Sequence, residues 1–162
     1  MNDRERMVRF LSTACHHFWC IDFLEHHPEY RKITGGVLSA LLLSNVIYID
    51  RYVYAGDEAY AAVHRDNPIK FHKFKQPCEH ELYVEGKSWC EELEFTPKEF
   101  DTAIKQIGFK KGVRNKLSKE EALIWYTEIE DDYVYYELNV DAFIKKFKEL
   151  SKLMGPRKLS CL

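Results

Sequence analysis

Residues 87–109, KSWCEELEFTPKEFDTAIKQIGF, contain two helix starts in close succession. Ser88 is followed three residues later by Glu91, and Thr96 is followed three residues later by Glu99. Each pair forms a capping box, in which the hydroxyl accepts the glutamate amide and the carboxylate accepts the amide of the capping residue. The spacing predicts two short helices joined by a turn of about three residues, which is the order of a helix-turn-helix unit.

The second helix has a predictable face and end. Pro97 falls at its first position, where the missing amide costs nothing. Gly108 is placed to form a left-handed cap, with Phe109 folding back on Ile104. Helical spacing puts four apolar residues on one face: Phe100, Ala103, Ile104 and Ile107. An ordinary pair of helices in a helical domain is the alternative to a helix-turn-helix.

Two β-rich runs follow, LIWYTEI at residues 123–129 and YVYYEL at residues 133–138. The acidic turn between them predicts a β-hairpin. Residues 37–49 have apolar side chains at helical spacing and predict the most buried helix. The run KFHKFK at residues 70–75 is interpreted as a half-buried strand, with a phosphate-gripping strand as the alternative. Residues 81–84, ELYV, are expected to end a strand.

These patterns predict an α+β, mostly helical protein with a winged helix-turn-helix, a β-hairpin wing and flanking N- and C-terminal helices. Residues 1–162 form one domain, consistent with the length of 162 residues. We expect its core at about 18–147, an insertion at about 50–76 and a basic C-terminal helix, capped by Asn139, at 140–154. No apolar leader or bilayer-length run is visible, and five irregularly spaced cysteines do not form a disulfide framework. We therefore expect a cytoplasmic protein that does not contact membranes.

The net charge of −2 argues against a simple nucleic-acid binder, but the charge is unevenly distributed. Residues 96–116 contain six basic and two acidic residues, a local charge of +4. The outer face of the second helix and the segment after it supply the candidate DNA-binding residues: Lys98, Thr102, Lys105, Gln106, Lys110, Lys111, Arg114 and Lys116. Lysine and glutamine can bind base edges or phosphates from such a helix. An ordinary solvated helix face is the alternative.

The predicted hairpin tip opposes this interpretation, because it is acidic. Four carboxylates surround it: Glu128, Glu130, Asp131 and Asp132. Such a tip would be repelled by DNA, so it either points away or contacts a protein. Metal and thiol chemistry are weakly supported, since Cys15, His16, His17 and Cys20 do not match the spacing of a structural zinc site, nor do Cys78 and His80. We predict no catalytic residue, metal or cofactor.

The order of these parts resembles the winged-helix domains of phage and plasmid replication-initiator or replisome-organiser proteins. The likeness covers roughly residues 18–147 and is carried by four segments: FWCIDFLEHHPEY, GGVLSALLLSNVIYI, ELYVEGKSWCEELEFTPKEFDTAIKQIGF and LIWYTEIEDDYVYYELNVDAF. The resemblance implies a non-enzymatic protein of a phage or mobile element that binds double-stranded DNA in replication or its regulation. The alternative is a protein-interaction module, such as an inhibitor of a host factor, that uses the acidic hairpin. A homodimer, with the insertion as its surface, is left open.

Overall fold

The structure, a computed structural model, describes Arg6 and residues 28–49, 70–130 and 133–154. Within these ranges the chain is α+β, as predicted, with five helices and a four-stranded sheet. The elements are α1 (Pro28–Thr34), α2 (Val37–Tyr48), β1 (Lys70–Phe74), α3 (Trp89–Glu92), α4 (Pro97–Ile107), β2 (Gly108–Lys110), β3 (Ile124–Glu130), β4 (Tyr133–Leu138) and α5 (Val140–Met154). The predicted N-terminal helix lies outside the described residues, apart from Arg6, which is helical.

The sheet has the strand order β1-β4-β3-β2. β4 pairs antiparallel with both β1 and β3, and the predicted hairpin of β3 and β4 is confirmed. β2 is the exception, because it pairs with β3 in parallel. The described chain therefore runs through α2, β1, the pair α3–α4 and then the β3–β4 hairpin, whose second strand lies between β1 and β3.

The strand β1 corrects the predicted extent of the insertion. Residues 70–74 belong to the sheet, where Phe71 lies opposite Tyr136 and Phe74 lies opposite Tyr133. Only the part at 50–69 falls outside the described residues. The expected strand at 81–84 is wrong, since residues 81–82 form a turn and residues 83–84 have no regular secondary structure. The Tyr83 hydroxyl donates to Glu91 at 2.7 Å, which ties this turn to the start of α3.

The helix α2 is the most apolar element, and its burial confirms the prediction for residues 37–49. Ala40, Leu42, Leu43 and Val46 are completely buried. Its polar residues are buried as well. The Ser44 hydroxyl, for example, donates to the Ala40 carbonyl at 2.8 Å, so its hydrogen bond is made within the helix. α2 packs against both α1 and α4, so it forms the base on which α4 rests.

Both predicted capping boxes are present. The Ser88 amide donates to Glu91 at 3.0 Å and the Thr96 amide donates to Glu99 at 2.8 Å. Each hydroxyl also accepts the amide of its glutamate at 3.3 Å. The hydrogen bonds from Thr96 hold the pKa of Glu99 below its usual value. These contacts fix the first turn of each helix and hence the angle between α3 and α4.

The core connects this helix pair to the sheet through aromatic rings. Trp89 of α3 is fully buried and lies 6.1 Å from the Phe100 ring of α4, 5.8 Å from Phe71 and 5.4 Å from Tyr136, measured between ring centroids. Such buried aromatic contacts stabilise beyond the area they bury. Burial also raises the pKa of the Tyr136 hydroxyl. α3 and α4 are therefore held against the inner face of the sheet.

Gly108 departs from the prediction. Its φ of −107° and ψ of 158° are extended, so the chain passes directly from α4 into β2 without a left-handed cap. A side chain has no room at this position. A Cβ atom would lie 2.6 Å from the Ile104 carbonyl oxygen and 2.9 Å from the Tyr126 ring. Glycine is required here for close approach between the helix end and the sheet, rather than for an unusual backbone conformation.

The C-terminal helix α5 confirms the prediction for residues 140–154. The Asn139 side chain accepts the Ala142 amide at 3.1 Å and caps the helix. Phe143 and Phe147 face the core and are buried. The Tyr30 ring of α1 contacts the Phe143 ring of α5, with 6.0 Å between the ring centroids. α1 and α5 therefore pack together beside the sheet.

Candidate nucleic-acid interface

The helix α4 separates its apolar and polar residues onto opposite faces. The core face is buried and consists of Phe100, Ala103, Ile104 and Ile107. On the opposite side, Lys98, Thr102 and Lys105 are exposed and lie along one stripe at helical spacing. This stripe is called the outer ridge. The Thr102 hydroxyl donates to the Lys98 carbonyl at 2.8 Å, so it lies against the helix backbone within the ridge.

Gln106 is exposed, as predicted for the outer face, but its side chain also contacts α2. Its Oε1 atom lies 2.8 Å from the buried Ser39 hydroxyl of α2. The same side chain covers Gly35 and Gly36, where an added Cβ would come within 3.0 Å and 2.8 Å of it. Gln106 therefore connects the C-terminal end of α4 to the turn between α1 and α2 while the residue remains exposed.

Two ion pairs connect β1 and its end to the helix pair. Lys75 contacts Asp101 of α4 at 2.8 Å, and Lys73 contacts Glu92 of α3 at 2.6 Å. Lys73 is only 9% exposed, and its ammonium lies 4.8 Å from the centre of the Trp89 ring. Burial lowers the pKa of Lys73 despite the Glu92 contact. Lys73 and Lys75 are therefore used within the protein, which removes two charges from the phosphate-gripping interpretation of this strand.

The Asp101 pair affects the electrostatics of α4. Asp101 is one of only two acidic residues between 96 and 116, and the other, Glu99, belongs to the Thr96 capping box. The Lys75 ammonium balances the Asp101 charge at the side of the helix. The outer ridge therefore keeps the positive potential of Lys98 and Lys105, for which the described residues supply no ion-pair partner.

Lys110 is also bound within the protein. Its ammonium contacts Glu128 of β3 at 2.7 Å, and the two side chains are 32% and 46% exposed. The pair joins one residue of the predicted DNA-binding set to one residue of the predicted acidic set. The pair itself carries no net charge, and Lys110 is not a free phosphate ligand.

The segment after β2 forms a compact loop, residues 111–116, which is called the lateral loop. Gly112 has a φ of +85°, a left-handed conformation that glycine adopts without strain. The Asn115 side chain accepts the Lys110 amide at 2.8 Å and donates to the carbonyls of Lys110 at 2.9 Å and Val113 at 2.8 Å. One side chain thus closes the loop on itself.

The lateral loop presents a basic outer surface. Lys111, Arg114 and Lys116 lie along it, and no ion pair to them occurs within the described ranges. Val113, near its tip, is 51% exposed. The loop is therefore a fixed support for three cations rather than a set of basic side chains on a loose segment.

The loop lies beside β3, along the outer edge of the hairpin. The Lys111 amide donates to the Tyr126 carbonyl at 3.0 Å and continues the parallel pairing of β2. The returning chain is fixed too, because the Trp125 indole donates to the Lys119 carbonyl at 2.7 Å. The Lys119 ammonium lies 4.6 Å from the centre of the Trp125 ring. The sequence did not predict the contacts of Asn115 and Lys119 or the position of the lateral loop beside β3. Gly112 and Asn115 in close succession nevertheless indicate a turn.

The hairpin tip is the remaining predicted site. The Glu128 carboxylate forms an ion pair with Lys110, and the neighbouring Ile129 side chain is 54% exposed. Glu130 ends β3, while Asp131 and Asp132 lie outside the described residues. The structure therefore brings the basic lateral loop and the acidic hairpin to neighbouring positions at one edge of the sheet.

Metal ligands do not converge anywhere in the described ranges. The described residues contain no group of three histidine, cysteine or carboxylate side chains placed to hold a metal ion. Cys15, His16, His17 and Cys20 lie outside them. None of the described helices combines the length and the apolar character needed to cross a bilayer.

Comparison of the chain with models of protein families, with curated proteins and with solved structures found no match.

Proposed function

We propose that this chain is a winged-helix protein that binds double-stranded DNA through α4. The order α2, β1, α3, α4 and a β-hairpin whose second strand pairs with β1 supports the winged-helix assignment. The observation that carries the DNA-binding proposal is the outer ridge. Its two lysines stand on the exposed face of the second helix of a helix-turn-helix, which is the face that such units insert into the major groove.

The dimensions and chemistry of α4 suit this role. Its 11 residues span about 16 Å at 1.5 Å per residue, which is enough to cross a major groove about 12 Å wide. Lys98 and Lys105 stand at either end of the ridge and would bind phosphates or guanine edges. Thr102 stands between them, where its methyl group would contact a thymine methyl.

The charge distribution accounts for how a chain of net charge −2 would bind a polyanion. The ion pairs of Asp101 with Lys75 and of Glu128 with Lys110 neutralise acidic groups near α4. The remaining cations of this region then act on phosphates by releasing counterions, so binding would weaken steeply as salt increases.

The biological setting that we propose follows the resemblance described above. A winged helix with this order of parts suits a non-enzymatic protein of a phage or mobile element that acts in replication or its control. Fold alone does not determine function, so the DNA-binding site itself has to be tested.

The experiment is fluorescence anisotropy with mixed-sequence duplexes of about one to two helical turns, at several salt concentrations. The variant Lys98→Ala/Lys105→Ala should weaken binding about tenfold or more at low salt and lower the salt slope by about 1.8, which corresponds to two lost phosphate contacts. The matched control is Lys145→Ala/Lys148→Ala on α5, which removes the same charge from another exposed helix face. Equal losses in the two variants would show that only net charge matters, and an unchanged affinity in the α4 variant would refute the proposal.

A second candidate is a protein-binding module, favoured by the exposed Ile129 between two glutamates. An apolar side chain flanked in sequence by two glutamates is suited to a basic partner with an apolar pocket. Pull-down from a host lysate with wild type, Ile129→Asp and Val113→Asp would test it. A partner lost only in the Ile129 variant, from a protein that shows no affinity for DNA, would favour this candidate over the first.

A further inference from the structure

The sheet edge beyond α4 carries two projections of opposite charge. The hairpin of β3 and β4 has Glu128 near its tip, and the lateral loop has Lys111, Arg114 and Lys116. Because β2 runs parallel to β3, both projections extend toward the same end of the sheet. If α4 lies in the major groove, one of them faces the DNA backbone that borders it.

Charge selects the lateral loop for this position. The carboxylates of the hairpin are repelled by phosphates, and the only cation that contacts the described part of its tip, Lys110, is already paired with Glu128. The three cations of the loop have no such partner among the described residues. A contact through the loop would therefore gain attraction without breaking an ion pair.

The loop is also built to hold its cations in place. Asn115 makes three hydrogen bonds to the backbone of Lys110 and Val113, with lengths from 2.8 to 2.9 Å. Binding then orders only side chains, since the backbone of the loop is already fixed, and such preorganisation lowers the entropic cost of association.

We propose that the lateral loop, closed by Asn115, is the second DNA-contacting element of this protein, and that it contacts the phosphate backbone flanking α4 while the acidic hairpin points away. This inference rests on the proposed function of α4. Asn115 acts as a positioning residue, because its side chain is engaged by the loop backbone and it touches no phosphate itself.

Two matched substitutions test which projection faces DNA. Val113 on the loop and Ile129 on the hairpin are β-branched, 51% and 54% exposed, and separated from the core. Val113→Lys and Ile129→Lys change the net charge identically. Binding to a mixed-sequence duplex of about two helical turns is measured by anisotropy over a range of salt concentrations.

The two substitutions should differ in effect. Val113→Lys should tighten binding about threefold or more and steepen the salt slope by about 0.9, the value of one added phosphate contact. Ile129→Lys should change affinity by less than about twofold, because a hairpin that points away from the duplex brings its added charge into no phosphate contact.

The role of Asn115 is tested by adding Asn115→Ala to wild type and to the Val113→Lys protein. Once the loop is loosened, Val113→Lys should increase affinity less than it does in the wild-type background, and the melting temperature shows whether the domain remains folded. A gain of equal size in both backgrounds would refute the positioning role.

The outcomes separate this inference from the function on which it rests. If wild type does not bind duplex DNA at low salt, the proposed function fails. If wild type binds and Lys98→Ala/Lys105→Ala weakens it, but Ile129→Lys tightens binding as much as or more than Val113→Lys, the proposed function stands and the assignment of the loop is overturned.

Discussion

Replacing Gly108 by alanine distinguishes two reasons for the glycine between α4 and β2. A left-handed cap would require glycine for its backbone conformation, whereas the observed φ of −107° is available to any residue. The structure instead places the Ile104 carbonyl oxygen 2.6 Å and the Tyr126 ring 2.9 Å from an added Cβ. The carbonyl belongs to the last turn of α4 and accepts the Gly108 amide, so it cannot move away without breaking that bond.

The magnitude follows from this steric conflict. Overpacking of a buried site costs about 1–3 kcal/mol of stability. Replacing glycine also reduces the conformational freedom of the unfolded chain, which offsets about 0.4–1 kcal/mol of this cost. We expect Gly108→Ala to lower the free energy of unfolding by about 1–2 kcal/mol, which corresponds to a melting temperature about 2–8 °C lower for a domain of this length. Circular dichroism with thermal and urea unfolding measures both quantities.

The control and the decisive comparison use asparagine. Gly86 has a φ of +78° and open space around it, so Gly86→Ala costs only the conformational strain and Gly86→Asn is better tolerated than Gly86→Ala. At Gly108 the order reverses, because asparagine is larger than alanine and no left-handed residue is needed. A Gly108→Asn protein more stable than Gly108→Ala would refute the close-approach explanation and favour the left-handed cap instead.

Two further predictions concern charged groups. The hydrogen bonds from Ser88, and next those from Tyr83, hold the pKa of Glu91 at about 2. A carboxylate whose pKa is lower in the folded protein than in the unfolded chain stabilises the fold at pH values above the unfolded pKa. This stabilisation should disappear as the pH falls from about 4.5 towards 2. Glu91→Gln should flatten that part of the stability–pH curve measured by urea unfolding, and an unchanged curve would contradict it. Lys73→Met should lower the free energy of unfolding by about 1–3 kcal/mol because Glu92 loses its close partner. Adding Glu92→Gln should recover part of this loss in a double-mutant cycle. Strictly additive effects would show that the two residues are not coupled.

The local signals were readable from the sequence because each is completed within a few residues. Ser88 with Glu91 and Thr96 with Glu99 contain both halves of a capping box, and the structure contains both. The outer ridge followed in the same way from helical spacing, since the apolar residues on one side of α4 determine where Lys98 points.

The errors lie where two distant segments meet. Gln106 was placed on the outer face and is exposed, but its contact with Ser39, 67 residues earlier, was not predicted. Lys110 was counted as free, but its partner Glu128 is 18 residues later and is brought close by the pairing of β2 with β3. Helical or strand periodicity indicates which face a residue occupies and carries no information about which side chain of another element stands opposite. The same limit explains why the parallel pairing of β2 with β3 was not predicted.

The direct passage from Ile107 into Gly108 has a mechanical consequence. No flexible linker separates α4 from β2, and the parallel pairing carries the strand along β3. The tightly packed glycine leaves little room for the end of the helix to shift against the sheet. A load placed on the hairpin would therefore pass to α4 through paired and packed backbone rather than be absorbed by a loop.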